Sequence, residues 1–475
     1  MPDAYNPFLP SWEYVPDGEP HVFGGRVYLY GSHDRFNARE FCRNDYVCWS
    51  APVDDLSAWR FEGYIWKKCD DPDGRGWYLS QMAAPDCVRG ADGRYYLYYF
   101  KGKRGTIDVA VCDTPAGKYR YYGKVRHAGG TPLGKGKEEG FYQFDPGVFR
   151  DDDGRFYLYT GFGARGRSIF TGFRPPNKYG AMGCELAEDM LTIRSPLHTI
   201  ARTRRNSRGT GFEGHEFFEA SSMRKFGGRY YFIYSSVNGH ELCYAMSDSP
   251  LGEFTYGGTL VSIGDVGLSD KPRNYLGNTH GSIERIGGKY YVFYHRHTNG
   301  HCFSRQACAE EIIMREDGTF AQAEVTSCGL NGGPLAARGR CEARVACHLF
   351  SKKGVRFYTF LHTGGCHPYF TQSGKDRECD PDQYIANFCD GATAGFKYFR
   401  FAGNARIGVT VCGRARGVMR VRDGLHGREV AAIPISPCRR RTQFFAPLHI
   451  EDGVKPLYFT FCGKGRLDFI DILFD

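Results

Sequence analysis

A short motif returns five times along this chain: Gly25-Arg-Val-Tyr-Leu-Tyr30, Gly93-Arg-Tyr-Tyr-Leu-Tyr98, Gly154-Arg-Phe-Tyr-Leu-Tyr159, Gly228-Arg-Tyr-Tyr-Phe-Ile233 and Gly288-Lys-Tyr-Tyr-Val-Phe293. The leading glycines stand 68, 61, 74 and 60 residues apart. Each copy reads as a turn running into a strand of aromatic and branched residues. Such a period suits four short strands with their loops, which is one propeller blade. The sequence therefore predicts an all-β chain that opens with a five-bladed β-propeller over residues 1–325. The alternative, a β-sandwich with chance Gly-Tyr-Tyr turns, does not account for five near-even repeats.

From residue 335 the motif is lost. Runs such as Gly354-Val-Arg-Phe-Tyr-Thr-Phe360, Gly395-Phe-Lys-Tyr-Phe-Arg-Phe401, Ile407-Gly-Val-Thr-Val411 and Leu457-Tyr-Phe-Thr-Phe461 read as hairpin strands. They predict a second, jelly-roll-like β-sandwich over 335–475. Gly329-Leu-Asn-Gly-Gly-Pro-Leu335 has the composition of a linker between the two.

The net charge of +9 is modest for 475 residues. The clusters Arg202–Arg205 and Arg439–Arg441 belong to no nucleic-acid-binding signature and read as solvated loop charge. No apolar run is long enough to span a membrane. The N-terminus lacks the basic start and apolar core of a signal peptide, so the expected location is the cytoplasm. Eighteen cysteines without a CxxC pair are expected to be buried reduced thiols rather than a zinc site or a disulfide framework.

In a propeller the starts of the innermost strands converge on one axis. Asp17 lies 8 residues before Gly25, Asp145 lies 9 before Gly154, and Glu219 lies 9 before Gly228. Any one of them could cap a turn, but their matched register predicts three carboxyls in one funnel. Asp86, 7 residues before Gly93, reads equally as a fourth member or as a turn cap after Pro85. Glycoside hydrolysis needs a proton donor for the departing oxygen and a second carboxylate to activate water or attack carbon. A third carboxylate keeps the donor protonated.

These segments resemble glycoside hydrolase family 43. The motifs that carry the resemblance are Asp17 ahead of Val27-Tyr-Leu-Tyr30, Phe144-Asp-Pro-Gly-Val-Phe-Arg-Asp-Asp-Asp-Gly154, and Glu219-Ala-Ser-Ser-Met-Arg-Lys-Phe-Gly-Gly-Arg-Tyr-Tyr231. The resemblance implies an inverting hydrolase with Asp17 as general base, Asp145 as modulator and orienter, and Glu219 as general acid. Glu19 is the alternative base, although its spacing to His21-Val-Phe23 fits less well. Asn278-Thr-His-Gly-Ser282 is similar to the family's histidine segment, which implies that His280 lies in the central channel near a structural Ca2+ or Na+ ion. No cofactor is expected for the chemistry itself.

Arg305 reads either as a carboxylate or substrate partner in the funnel or as an exposed strand residue. Trp12, Trp77 and Tyr142 are candidates for stacking on sugar, each with blade packing as the alternative. Asp390-Gly-Ala-Thr-Ala-Gly-Phe-Lys-Tyr-Phe399 and Leu457–Asp468 more weakly resemble carbohydrate-binding modules of family 6. That implies a domain that binds glycan or braces the propeller. The expected substrate is a short oligosaccharide, with α-L-arabinofuranosidase or β-xylosidase action from its end. β-D-galactofuranosidase action and a non-catalytic glycan-binding propeller are the alternatives.

Overall fold

The computed structural model describes residues 4–73, 81–102, 105–135, 142–163, 179–379 and 382–475. Five antiparallel sheets follow one another along the chain, four of four strands and the fifth of three, each with its strands in sequence order. Their innermost strands are Glu19–Phe23, Met82–Arg89, Gly147–Arg150, Phe217–Phe226 and Ser282–Ile286.

The repeated glycine is explained by its backbone. Gly25, Gly93, Gly154, Gly228 and Gly288 all have φ between 78° and 88°, at the hairpin joining the innermost strand to the next. A side chain there would meet almost nothing, so the left-handed backbone and not space demands glycine. The aromatic residues that follow fill the gaps between blades. Separate apolar cores join blades one and two, two and three, three and four, four and five, and five and one, which closes the ring face to face.

The remaining residues form two six-stranded sheets packed over their own core, which includes Phe396, Phe459 and Phe469. One run departs from expectation. Gly354–Phe360 is not a strand of this sandwich; it makes only isolated bridges, Gly354 to Ser351 and Phe357 to Leu276, and lies against the propeller. Arg439–Arg441 also differ from the expected loop, being exposed on a strand. The eighteen cysteines stand as free thiols, most of them buried or half-buried. Among the described residues no helix is long and apolar enough to cross a membrane.

The sandwich is clamped to the ring by buried polar contacts. Lys397 Nζ donates to Asp265 Oδ2 at 2.7 Å, and His348 Nε2 lies 2.7 Å from the same oxygen. Arg296 Nη1 donates to the Arg344 carbonyl at 2.6 Å, with its guanidinium 3.9 Å from the centre of the Phe370 ring. Arg377 Nη1 donates to both oxygens of the buried Glu13. Removing one partner of a buried pair leaves the other uncompensated. Lys397→Met is therefore expected to cost about 3 kcal/mol. Urea titration of Lys397→Met and Lys397→Met/Asp265→Asn checks this, with the double variant recovering part of the loss.

Candidate active site

The innermost strands enter the ring through strained turns. Asp17, Ala84, Asp145 and Ala220 all take positive φ, at 58°, 42°, 44° and 66°. Asp tolerates this region better than most side chains, and the constraint aims Asp17 and Asp145 at the axis. The turns also show why Asp86 differs. Ala84, nine residues before Gly93, holds the position of Asp17 and Asp145, so Asp86 is two residues further along its strand.

Asp17, Asp145, Glu219 and His280 line one cavity of about 1490 Å³, and Arg305 joins them. Arg305 is buried, not an exposed strand residue. Its Nη1 donates to Asp17 Oδ1 at 2.8 Å, while Nε and Nη2 donate to Asp34 Oδ2 and Oδ1 at 2.8 and 3.0 Å. Asp34 thus fixes the guanidinium plane that faces Asp17. The Asp17 backbone N–H donates to His295 Nδ1 at 3.3 Å, and His295 Nε2 lies 2.9 Å from the Asn278 carbonyl. Burial pushes His295 down to about 3, so it is neutral, with its proton on Nε2.

The carboxyls are pushed apart in acidity. Burial raises Asp17, but the charge of Arg305 foremost, and then that of His280, outweigh it and hold the carboxyl below the usual range. Asp145 is raised by burial, despite His280, whose Nδ1 is 3.5 Å from its Oδ2. Glu219 is pushed up to about 8, first by burial and then by the negative charge of Asp145. Two carboxyls with opposed shifts in one cavity are the pattern of a base and an acid.

Several expected site residues are placed elsewhere. Asp86 is fully buried and does not line the cavity; it accepts from the Val148 N–H at 2.7 Å and lies 2.6 Å from His21 Nε2. Glu19, the alternative base, is also buried and does not line the cavity, accepting from Ser222 Oγ at 2.9 Å and Arg224 Nη2 at 3.2 Å. Trp12 packs 5.8 Å from Trp49 and under the Arg377 guanidinium at 4.9 Å, outside the cavity, because closeness to Asp17 in sequence is not closeness in space. Tyr142 does line the cavity, and Trp77 lies outside the described residues.

Calcium takes oxygen ligands. His280 offers a ring nitrogen rather than an oxygen, and its Nδ1 already lies 3.5 Å from Asp145 Oδ2. Among the described residues Glu19, His21 and Asp86 form a cluster with metal-ligand spacing, yet Arg224 already supplies positive charge there. No step of the chemistry is assigned to a metal.

The cavity also has an aromatic lining that the sequence reading missed. Phe100, Phe144, Phe162 and Phe218 make one wall, with Phe144 and Phe162 stacked at 4.6 Å. The available signal was that Phe144 and Phe218 directly precede Asp145 and Glu219.

Comparison with known proteins shows which family the chain is similar to. The sequence model of glycosyl hydrolases family 43 matches residues 6–320. A xylosidase/arabinosidase of Thermoclostridium stercorarium is 51% identical, over 97% of this chain and 96% of its own. A β-xylosidase/α-arabinofuranosidase from a compost microbial metagenome, solved with xylotriose in a calcium-free form, is 27% identical with a TM-score of 0.52, covering 68% of this chain and 98% of its own. An arabinoxylan arabinofuranohydrolase from Bacillus subtilis, 21% identical with a TM-score of 0.52, shares the fold over 100% of this chain and 98% of its own.

Replacing Arg305 by Met removes the cation that holds Asp17 ionised. If Asp17 is the group that must be deprotonated, the acidic limb of the pH profile of kcat/KM is expected to move to higher pH, because its pKa rises. A limb that stays in place would show that Asp17 does not govern it.

Proposed function

The chain belongs to glycosyl hydrolase family 43 and is an inverting glycoside hydrolase; from this premise we propose that Asp17, Asp145 and Glu219 carry the reaction and that terminal xylose and arabinofuranose are its glycones. The observation that carries the assignment of roles is the split in acidity, with Glu219 raised to about 8 and Asp17 held low in the same cavity. The near full-length relative named xylosidase/arabinosidase supports the choice of sugars.

In this reading the glycone rests on the cavity floor. Asp17 accepts a proton from a water as its oxygen attacks the anomeric carbon from the face opposite the leaving group. The glycosidic C–O bond breaks, and Glu219 gives its proton to the departing oxygen. Asp145 does not exchange protons with substrate. Its charge keeps Glu219 protonated near neutral pH, and its Oδ2 accepts from the Ala220 N–H at 3.3 Å, next to the acid in the chain. His280 balances the charge of Asp145. Arg305 keeps Asp17 ionised.

Activity needs Glu219 protonated, so it should fall as pH rises through about 8. Glu219→Gln is expected to lower kcat roughly 10²- to 10⁴-fold on 4-nitrophenyl β-D-xyloside and α-L-arabinofuranoside, and to remove the basic limb. Asp17→Asn should be at least as damaging. A 4-nitrophenyl β-D-galactofuranoside control tests the third glycone, and the first-formed anomer seen by NMR tests inversion. Unchanged hydrolysis in both variants would overturn the assignment.

A further inference from the structure

The second domain reaches into the catalytic cavity. Tyr358, Thr359, Phe360, Leu361 and His362 line it together with the catalytic carboxyls. These residues belong to the stretch that leaves the sandwich and lies on the propeller. The stretch is tied down at several points. Tyr358 N–H donates to the Leu276 carbonyl at 2.6 Å, Cys302 N–H to the Thr359 carbonyl at 3.1 Å, and Thr363 N–H to the Gly300 carbonyl at 2.7 Å. Gly300 is left-handed, with φ 63°, and a side chain there would come within 3.1 Å of His362.

The strap presents apolar surface to the cavity rather than to a core. Phe360 is 57% exposed and Leu361 79% exposed, although both line a cavity whose carboxyls are buried. Phe360 stacks on Phe303 of the propeller, centroids 5.5 Å apart and planes within 13°, and Phe41 meets Phe303 edge-on at 4.8 Å. An aromatic face is thus fixed at the rim, above a floor of charged groups.

We propose that this rim is the binding site for the leaving-group sugar, and that Phe360 and Leu361 of the second domain are its specificity determinants. The proposal rests on the floor being the glycone site, as set out above. With the terminal residue on the floor, the bond to be cut points towards the mouth, and the next residue of the chain must lie against the rim. The apolar face of a pyranose ring suits an aromatic wall, and its hydroxyl edge stays in water. The second domain would then complete the catalytic site in addition to bracing the ring.

The test uses the full chain, with xylobiose as the substrate that carries a sugar leaving group and β-D-xylosyl fluoride as the one that does not. Phe360→Ala and Leu361→Ala are expected to lower the ratio of kcat/KM for xylobiose to kcat/KM for the fluoride by about tenfold, mainly through KM for xylobiose. Phe360→Trp should restore the ratio by restoring the ring face. An unchanged ratio, or equal losses on both substrates, would overturn the wall while leaving the functional reading intact. A wild-type chain inert towards both substrates would overturn the functional reading and the wall with it.

Discussion

The site depends on the price of holding Asp17, Asp145 and Glu219 together away from water. Burial alone would protonate all three, since a charged carboxyl loses its hydration there. Arg305 and His280 prevent that, and they act unevenly. Arg305 sits at 2.8 Å on Asp17 and His280 faces Asp145, while on Glu219 burial and the repulsion of Asp145 outweigh the pull of His280 and Arg305. One proton is thereby confined to Glu219. The ring of blades makes this possible because side chains from five separate sheets arrive at one axis, each fixed by its own strand entry.

Most of this frame was legible in the sequence because it rests on local backbone demands. The five motif glycines mark hairpins that require positive φ, and a residue at fixed distance before each one must enter the axis. Asp17, Asp145 and Glu219 followed from that register alone. Asp86 did not, because Ala84 takes the turn position in its blade and Asp86 falls two residues further on, and the count of 7 against 8 and 9 was the sign of it. The Arg305–Asp34 pair could not be read, since 271 residues separate its members and nothing local marks either one. Trp12 failed for the opposite reason. It is near Asp17 in sequence, but its ring is needed to pack against Trp49 and Arg377.

The second domain was legible as a sandwich but not as a neighbour of the site. Gly354–Phe360 has the alternation of a strand, and pattern alone cannot tell whether a strand-like run will pair in its own sheet. What diverts it is a set of backbone bonds to Leu276 and Cys302, continued by Thr363 to Gly300, which no side-chain pattern encodes. The polar clamp formed by Lys397, Asp265 and His348 has the same character. Each member would be costly to bury alone, and they satisfy one another only when the domains meet.

These two facts bear on each other. An aromatic wall can discriminate between leaving groups only if it stays within contact distance of the floor, where a shift of one ångström is costly. Phe360 is carried by one domain and Glu219 by the other, so their spacing is set by the interface rather than by either core. A loose interface, held by exposed ion pairs, would let the wall drift. The observed one is buried, charged and hydrogen-bonded at Asp265, Glu13 and Arg296, which holds one relative position far better than apolar contact alone. On the proposed leaving-group site, the clamp would therefore be part of the catalytic geometry.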